Sequence, residues 1–339
     1  MRILVTGGTG FIGSHVVTEL TAAGHTPRLL VRSEAKMRRV FEARGVATED
    51  FVVGDVTDPV SVKTALEGCE AVVHAAATVS IEGSRANEVQ DTNLRGTELV
   101  IGGAAEAGFR AIHYLSSLTA ILDPSASSIR PDSPVVAGES AYGRSKAQAE
   151  EFVRSLRDQG APISIFYPSG VLGPGDPGLA ESMRGLVAVL TMCVFRTSGG
   201  WLAVDVRDLA SSIRAVLEAG TTGGFITAGH FLEWEELADL VSEIAGHPVR
   251  RIPVPPGLLR GVGRFGDLVK RVIPSDLPIT RESMELVTLM PPVPNSPELE
   301  ALGVHFRDTT ETHRDALRTL VADGHIPAKL APALASPGR

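Results

Sequence analysis

The chain opens with an alternation of two patterns. Short, largely apolar runs at residues 3–5, 28–31, 51–53, 71–74, 111–115 and 163–167 have the length and unbroken hydrophobicity of strands in a parallel sheet covered on both faces. Between them, residues 11–23, 33–44, 60–66, 86–107 and 141–159 carry apolar positions at helical spacing. Gly24, Gly45, Gly68, Gly108 and Gly160 each follow one of these stretches, where a glycine in the left-handed region ends a helix. Strand–helix alternation of this kind predicts an α/β fold, a Rossmann-type doubly wound parallel sheet.

After Pro168 the alternation breaks. Gly173-Pro174-Gly175-Asp176-Pro177-Gly178 reads as a loop. Residues 182–193, 209–218, 234–245, 258–272 and 281–289 read as helical, and 201–206 and 225–227 as extended. The expected organisation is a larger domain over 1–168 with a return segment at about 202–229. A smaller, discontinuous part is expected over 169–201 and 230–330, and a frayed tail over 331–339.

At 339 residues the chain suits such a large α/β domain with an appended part. A formal charge of −8 weighs against nucleic acid and anionic membranes as partners. Cys69 and Cys193 make no disulfide framework and no metal-ligand spacing, and read as small buried hydrophobes in a reducing compartment. His15, His25, His113 and His230 show no metal-like spacing either, so no metal is expected. The apolar start, 3–6, is too short for a signal peptide, and the longest apolar run, 186–195, is about half a membrane span. A cytoplasmic protein without a membrane span is the expectation.

Thr6-Gly7-Gly8-Thr9-Gly10-Phe11-Ile12-Gly13 joins the first strand to the first helix. Glycines at 7, 10 and 13 allow a sharp turn, close approach of backbone N–H groups to a pyrophosphate, and tight helix–sheet contact. In that strand–turn–helix context the loop predicts a dinucleotide site, with Gly7, Thr9, Gly10, Phe11, Ile12 and Gly13 as its contacts. An NAD site usually places an acidic residue after the second strand for the ribose 2′-OH. Here Arg32 stands there, followed by Ser33 and Lys36, with Arg28, Arg38 and Arg39 nearby. A guanidinium binds a 2′-phosphate through paired hydrogen bonds, which favours NADP over NAD.

Tyr142 and Lys146 lie four apart on a predicted helix and therefore share a face. A free tyrosine is a poor acid–base at neutral pH, and a nearby ammonium stabilises its phenolate. Ser117, just past the strand at 111–115, is placed to hold a substrate oxygen beside Tyr142, with Ser116 as the neighbouring alternative. Asn93 is either a water-organising group near Lys146 or a helix-cap amide.

With the glycine loop and Tyr142-Gly143-Arg144-Ser145-Lys146, the chain resembles the extended short-chain dehydrogenase/reductases, the NAD-dependent epimerase/dehydratase superfamily. Within it, the dihydroflavonol-4-reductase and 3β-hydroxysteroid dehydrogenase branch is the most similar. The resemblance covers nearly the whole chain. It runs through Gly54-Asp55-Val56, His74-Ala75-Ala76-Ala77, Thr92-Asn93-Leu94-Arg95-Gly96-Thr97, Tyr114-Leu115-Ser116-Ser117, the stretch from Pro168 to Asp176, and Asp205-Val206-Arg207-Asp208. It implies that Asp55 and Val56 meet the adenine, although Asp55 as a helix cap is an alternative. It further implies that Ala75, Ala76 and Ala77 line the ribose and nicotinamide side, and that Pro168, Ser169 and Val171 pack by the nicotinamide. Lys146 would also bond the nicotinamide ribose. Hydride would pass from the nicotinamide to a carbonyl carbon while Tyr142 protonates the oxygen. In some relatives two helices build a homodimer, and 94–107 and 142–156 are the corresponding stretches here.

Sugar-nucleotide epimerases of this superfamily often place an Asn after the sixth strand. This chain has asparagines only at 87, 93 and 295, and Tyr167-Pro168-Ser169-Gly170 fills the position. Met183, Leu186, Val189, Leu190 and Met192, with Phe265, Leu268 and Val269, read as the wall of an apolar pocket or as the core of the small part. Three readings follow. The first is an NADPH-dependent ketone or aldehyde reductase for an apolar or aromatic small molecule. The second is an NAD(P)-dependent epimerase, dehydratase or steroid-type dehydrogenase. The third is a non-catalytic NADP sensor, against which Ser117, Tyr142 and Lys146 argue.

Overall fold

The computed structural model describes residues 1–78, 89, 91–138, 141–270 and 281–335. Its frame is a sheet of seven parallel strands: β1 (Arg2–Thr6), β2 (Thr26–Val31), β3 (Phe51–Val53), β4 (Ala71–His74), β5 (Ala111–Leu115), β6 (Ile163–Pro168) and β10 (Gly223–Thr227). Their spatial order is β10-β6-β5-β4-β1-β2-β3. The order reverses beside β1, between β1 and β4, and ligands of such sheets bind at the carboxyl ends of the strands there.

Alternation along each strand divides the core into two layers. Ile3 and Val5 of β1, with Val73 and Phe166, pack on one face under the helices Phe11–Ala22 and Val206–Ala219. Leu4, Val72, Ile112 and Ile165 face the other side, under Pro59–Leu66 and Ala141–Asp158. The glycines predicted to end helices, Gly24, Gly45, Gly68, Gly108 and Gly160, all have positive φ, between 65° and 97°. The predicted helix at 86–107 is helical over its described part, 91–106, with wide turns at Asp91–Arg95 and Glu98–Gly102. Residues 86–88 and 90 lie outside the described residues, as do 271–272 of the helix predicted at 258–272.

The second part is built around a three-stranded sheet, β11-β9-β7, of β7 (Gly170–Leu172), β9 (Gly200–Asp205) and β11 (His230–Glu233). Of the stretch 202–229, only β10 enters the large sheet, paired with β6. β9 instead lies between β7 and β11. Two further strands, β8 (Val194–Arg196) and β12 (Arg251–Pro253), pair in parallel. Strands β7, β8, β11 and β12 are three or four residues long, too short to show a period, and the helix Thr309–Ala322 was not anticipated although Thr312, Ala316, Leu317 and Leu320 stand at helical spacing.

The expected frayed tail is corrected over 331–335. Ala331 is fully buried, and the short helix Pro332–Ala335 packs on the helix Trp234–Ala245, because Ala331 and Leu334 extend its apolar face. Residues 336–339 lie outside the described residues. The two cysteines are free and half-buried rather than fully buried. Among the described residues, no helix is long and apolar enough to cross a membrane.

Candidate active site

β1 ends at Thr6, and the chain turns at Gly7 with φ +70°. A Cβ on Gly7 would lie 2.6 Å from the backbone of Ala75 and Ala76, and one on Gly13 would lie 2.2 Å from the Gly7 carbonyl oxygen. The loop is therefore a cradle in which backbone meets backbone at the sheet's reversal point. The helix Phe11–Ala22 starts at Gly10 without a side-chain cap, which leaves its first N–H groups to a ligand. A Cβ-free cradle, uncapped amides and a cavity running on from them fit the diphosphate of a nicotinamide dinucleotide.

That cavity encloses about 670 Å³. Gly7, Gly10, Phe11, Ile12, Gly13, Ala75 and Ala77 line one end, and Ser116, Ser117, Tyr142, Lys146, Pro168, Ser169 and Val171 its middle. The predicted serines, tyrosine and lysine therefore share one cleft with the glycine loop. Lys146 is 4% exposed; its Nζ donates to the Leu115 carbonyl at 2.8 Å and stands 5.2 Å from the centre of the Tyr114 ring. Burial pulls its pKa down to about 8, opposed by the negative charge of Glu150. Ser117 Oγ hydrogen-bonds Thr119 Oγ1 at 2.8 Å, either hydroxyl being able to donate, and accepts from the Thr119 N–H. The Ser116 hydroxyl is buried at the same lining and has no partner among the described residues.

Behind the cleft runs a chain of buried polar groups. Thr97 Oγ1 donates to the Asn93 carbonyl at 2.6 Å, so it accepts from His74 Nε2, and His74 Nδ1 in turn accepts from Thr6 Oγ1 at 2.7 Å. Burial, with the Lys146 ammonium adding to it, lowers the His74 pKa to about 3 and keeps the ring neutral. Asn93 is 2% exposed and serves as a cross-link rather than as a helix cap. Its amide bonds the Thr78 N–H and carbonyl at 2.8 and 3.0 Å and reaches Ser145 Oγ at 3.0 Å. It thereby ties the segment after β4 to the helix that carries Tyr142 and Lys146.

Other predicted contacts stand outside the cavity lining. Arg32, Ser33 and Lys36 are exposed just past β2, and neither Arg32 nor Lys36 has a side-chain partner among the described residues. Ser33 caps the helix Glu34–Glu42 by accepting from the Lys36 N–H. Asp55 closes a turn on Thr57, and the cap of the next helix is Asp58, so the capping alternative for Asp55 is corrected. Val56 is buried against Gly96. Thr9 is half-buried outside the lining, and the Ala76 N–H points to Thr6 Oγ1 at 3.4 Å. Ser169 does line the cavity, but its Oγ is spent on the Ala228 carbonyl at 2.7 Å.

The far wall of the cavity differs from the expected one. Met183, Leu186, Val189 and Leu190 are core residues, because the helix Glu181–Thr191 turns that stripe toward the helices Trp234–Ala245 and Thr309–Ala322. Met192 is 68% exposed. The side chains of Phe265, Leu268 and Val269 lie outside the described residues. The wall is made instead by Leu118, Leu122, Trp201, Leu202, Trp234, Leu286, Val287 and Met290. Trp201 and Trp234 meet edge to face at 6.2 Å, and Trp234 Nε1 donates to the Val287 carbonyl at 2.9 Å. These are the only tryptophans in the chain, and no pattern in the sequence singled them out as pocket residues.

The profile of the NAD dependent epimerase/dehydratase family matches residues 3–225, which is most of the chain. The chain belongs to that family. Among its relatives, the "Sterol demethylase protein B" of Methylococcus capsulatus is 32% identical over 80% of this chain and 83% of its own length. A Synechocystis sp. protein named for dihydroflavonol 4-reductase is 28% identical over 98% of this chain and 92% of its own length. The crystal structure of gox2253 superposes with a TM-score of 0.78 at 26% identity, covering 96% of this chain and 99% of the other. Relatives named for 3-beta-hydroxysteroid dehydrogenase and UDP-glucose 4-epimerase also match. This member of the family is an NAD(P)-dependent oxidoreductase of the extended short-chain type.

Proposed function

We propose that this family member is an NADPH-dependent reductase of a neutral, largely apolar, ring-bearing ketone or aldehyde. One observation carries the reading: a single cavity joins the glycine cradle and Tyr142–Lys146 to a wall of tryptophan and aliphatic side chains. Among the described residues that line it, Lys146 is the one cation, and Glu181 adds a carboxylate. A substrate carrying its own diphosphate would need a second anion site beyond the glycine cradle, and in cationic side chains the lining offers only Lys146, which supports an uncharged substrate over a sugar nucleotide.

When bound, the nicotinamide supplies the hydride that the carbonyl carbon accepts. Tyr142 donates its phenolic proton to the carbonyl oxygen, which completes the alcohol, and the Lys146 ammonium stabilises the phenolate left behind. Ser117 holds the oxygen as charge gathers on it, and the uncommitted Ser116 hydroxyl is the second donor within the same lining. Arg32, exposed past β2 and without a partner among the described residues, supports NADP over NAD as the cofactor.

The test is cofactor consumption with NADPH and NADH against aromatic, steroid and aliphatic carbonyls and UDP-glucose. Turnover of ring-bearing ketones or aldehydes with NADPH is expected. Conversion of UDP-glucose without net cofactor consumption would overturn the reading in favour of an epimerase. Arg32→Asp is expected to weaken NADPH binding by about tenfold or more relative to NADH, read by cofactor titration.

A further inference from the structure

Glu150 lies one helical turn beyond Lys146, on the same face of the helix Ala141–Asp158, and is fully buried. Its Oε1 accepts the Tyr167 hydroxyl at 2.5 Å and Arg154 Nε at 2.8 Å. Its Oε2 has no partner among the described residues. Arg154 also donates to the carbonyls of Pro131 and Ser133, and none of these three residues lines the cleft. A buried carboxylate with one oxygen unmatched is costly, and pairing it outright would remove that cost. What Lys146 itself has is a single carbonyl acceptor, Leu115, and the face of Tyr114. From β4 the neutral His74 feels its charge, from its own helix Glu150 acts on it, and Tyr142 shares its helix face four residues before it.

We propose that Glu150 is a positioning residue: a buried anion, anchored by Tyr167 and Arg154, that keeps Lys146 an ammonium inside an otherwise desolvating cleft. Glu150 is not among the residues that line the cavity, so it acts through Lys146. Without it, burial alone faces the lysine charge, and the amine form gains. The inference rests on Lys146 as the ammonium of the proposed site, but its test does not need turnover.

The chain has only five lysines, at 36, 63, 146, 270 and 329. Protein carrying 13C at lysine Cε therefore gives few signals, and the one lost in Lys146→Met is that of Lys146. In the wild type this signal is expected to titrate above pH 7; a midpoint below pH 7 would overturn the proposal with no variant required. Glu150→Gln, which retains acceptor geometry without charge, is expected to shift the Lys146 ammonium-to-amine ratio about tenfold toward amine at a given pH. Tyr167→Phe loosens the same network but keeps the carboxylate, and is expected to leave the midpoint nearly unchanged. No shift in Glu150→Gln, or an equal shift in Tyr167→Phe, would make Glu150 merely structural. Failure of all carbonyl substrates would remove the proposed reaction and leave this titration standing.

Discussion

The two sides of the cleft are built by different rules. On the nucleotide side, backbone packs on backbone, with Gly7 and Gly13 leaving no room for a Cβ, and the buried polar groups behind it are bonded one to the next from Thr6 to Asn93. On the substrate side, side chains from four separate stretches of the chain, at Leu118, Trp201, Trp234 and Leu286, meet across a cavity. The first construction is intolerant of change because any added atom displaces main chain. The second can be reshaped one side chain at a time. A common cofactor machinery with divergent substrates follows from that contrast.

Four changes would break or sharpen it. The largest effect is expected at the junction: Tyr142→Phe removes the proton donor and should lower turnover by about 10²–10⁴-fold while NADPH titrates almost as before. Near-normal turnover would discard the mechanism. Next, Gly13→Ala places a Cβ 2.2 Å from the Gly7 carbonyl oxygen. It should weaken NADPH binding by about a hundredfold, about 2.7 kcal/mol; unchanged affinity in a cofactor titration would show that the cradle yields.

On the opposite wall, Trp201→Ala should raise KM for a ring-bearing carbonyl by about tenfold and leave the NADPH Kd alone. An equal loss in both would mean that the two sides are mechanically one unit. The smallest effect concerns the layers behind the nucleotide side. His74 and His113 are buried, and desolvation lowers both pKa values to about 3 from the ordinary 6.5. The unfolded chain therefore binds more protons between these values, so stability is full above pH 6.5 and is lost as pH falls toward 3. His113 Nδ1 has no partner among the described residues, and its ring stacks on Phe166. His113→Phe should flatten the acid dependence of Tm, and an unchanged slope would assign it elsewhere.

The difference between the two sides also decided what was readable beforehand. Six strands of the large sheet, the helix-ending glycines and the glycine cradle are local patterns, each confined to a few consecutive residues. Tyr142 and Lys146 are four apart, and helical geometry alone sets them on one face. The Met183–Leu190 stripe shows the opposite. Its spacing announced an amphipathic helix, but not which neighbour the stripe would meet, and it met the core. Asn93 was legible as a polar group near the site, while its three bonds to Thr78 and Ser145 depended on segments far along the chain.

By itself the sequence determined the parallel sheet, its crossover helices and the position of the cofactor loop, because those follow from short-range periodicity and from the steric needs of single glycines. Only the tertiary structure decided that β9 leaves the large sheet for β7 and β11, that two tryptophans face the cleft, and that Glu150 lies buried beneath Lys146. The physical reason is burial. Which of several apolar or charged side chains loses its water depends on the partner that arrives from elsewhere in the chain, and no local pattern carries that information.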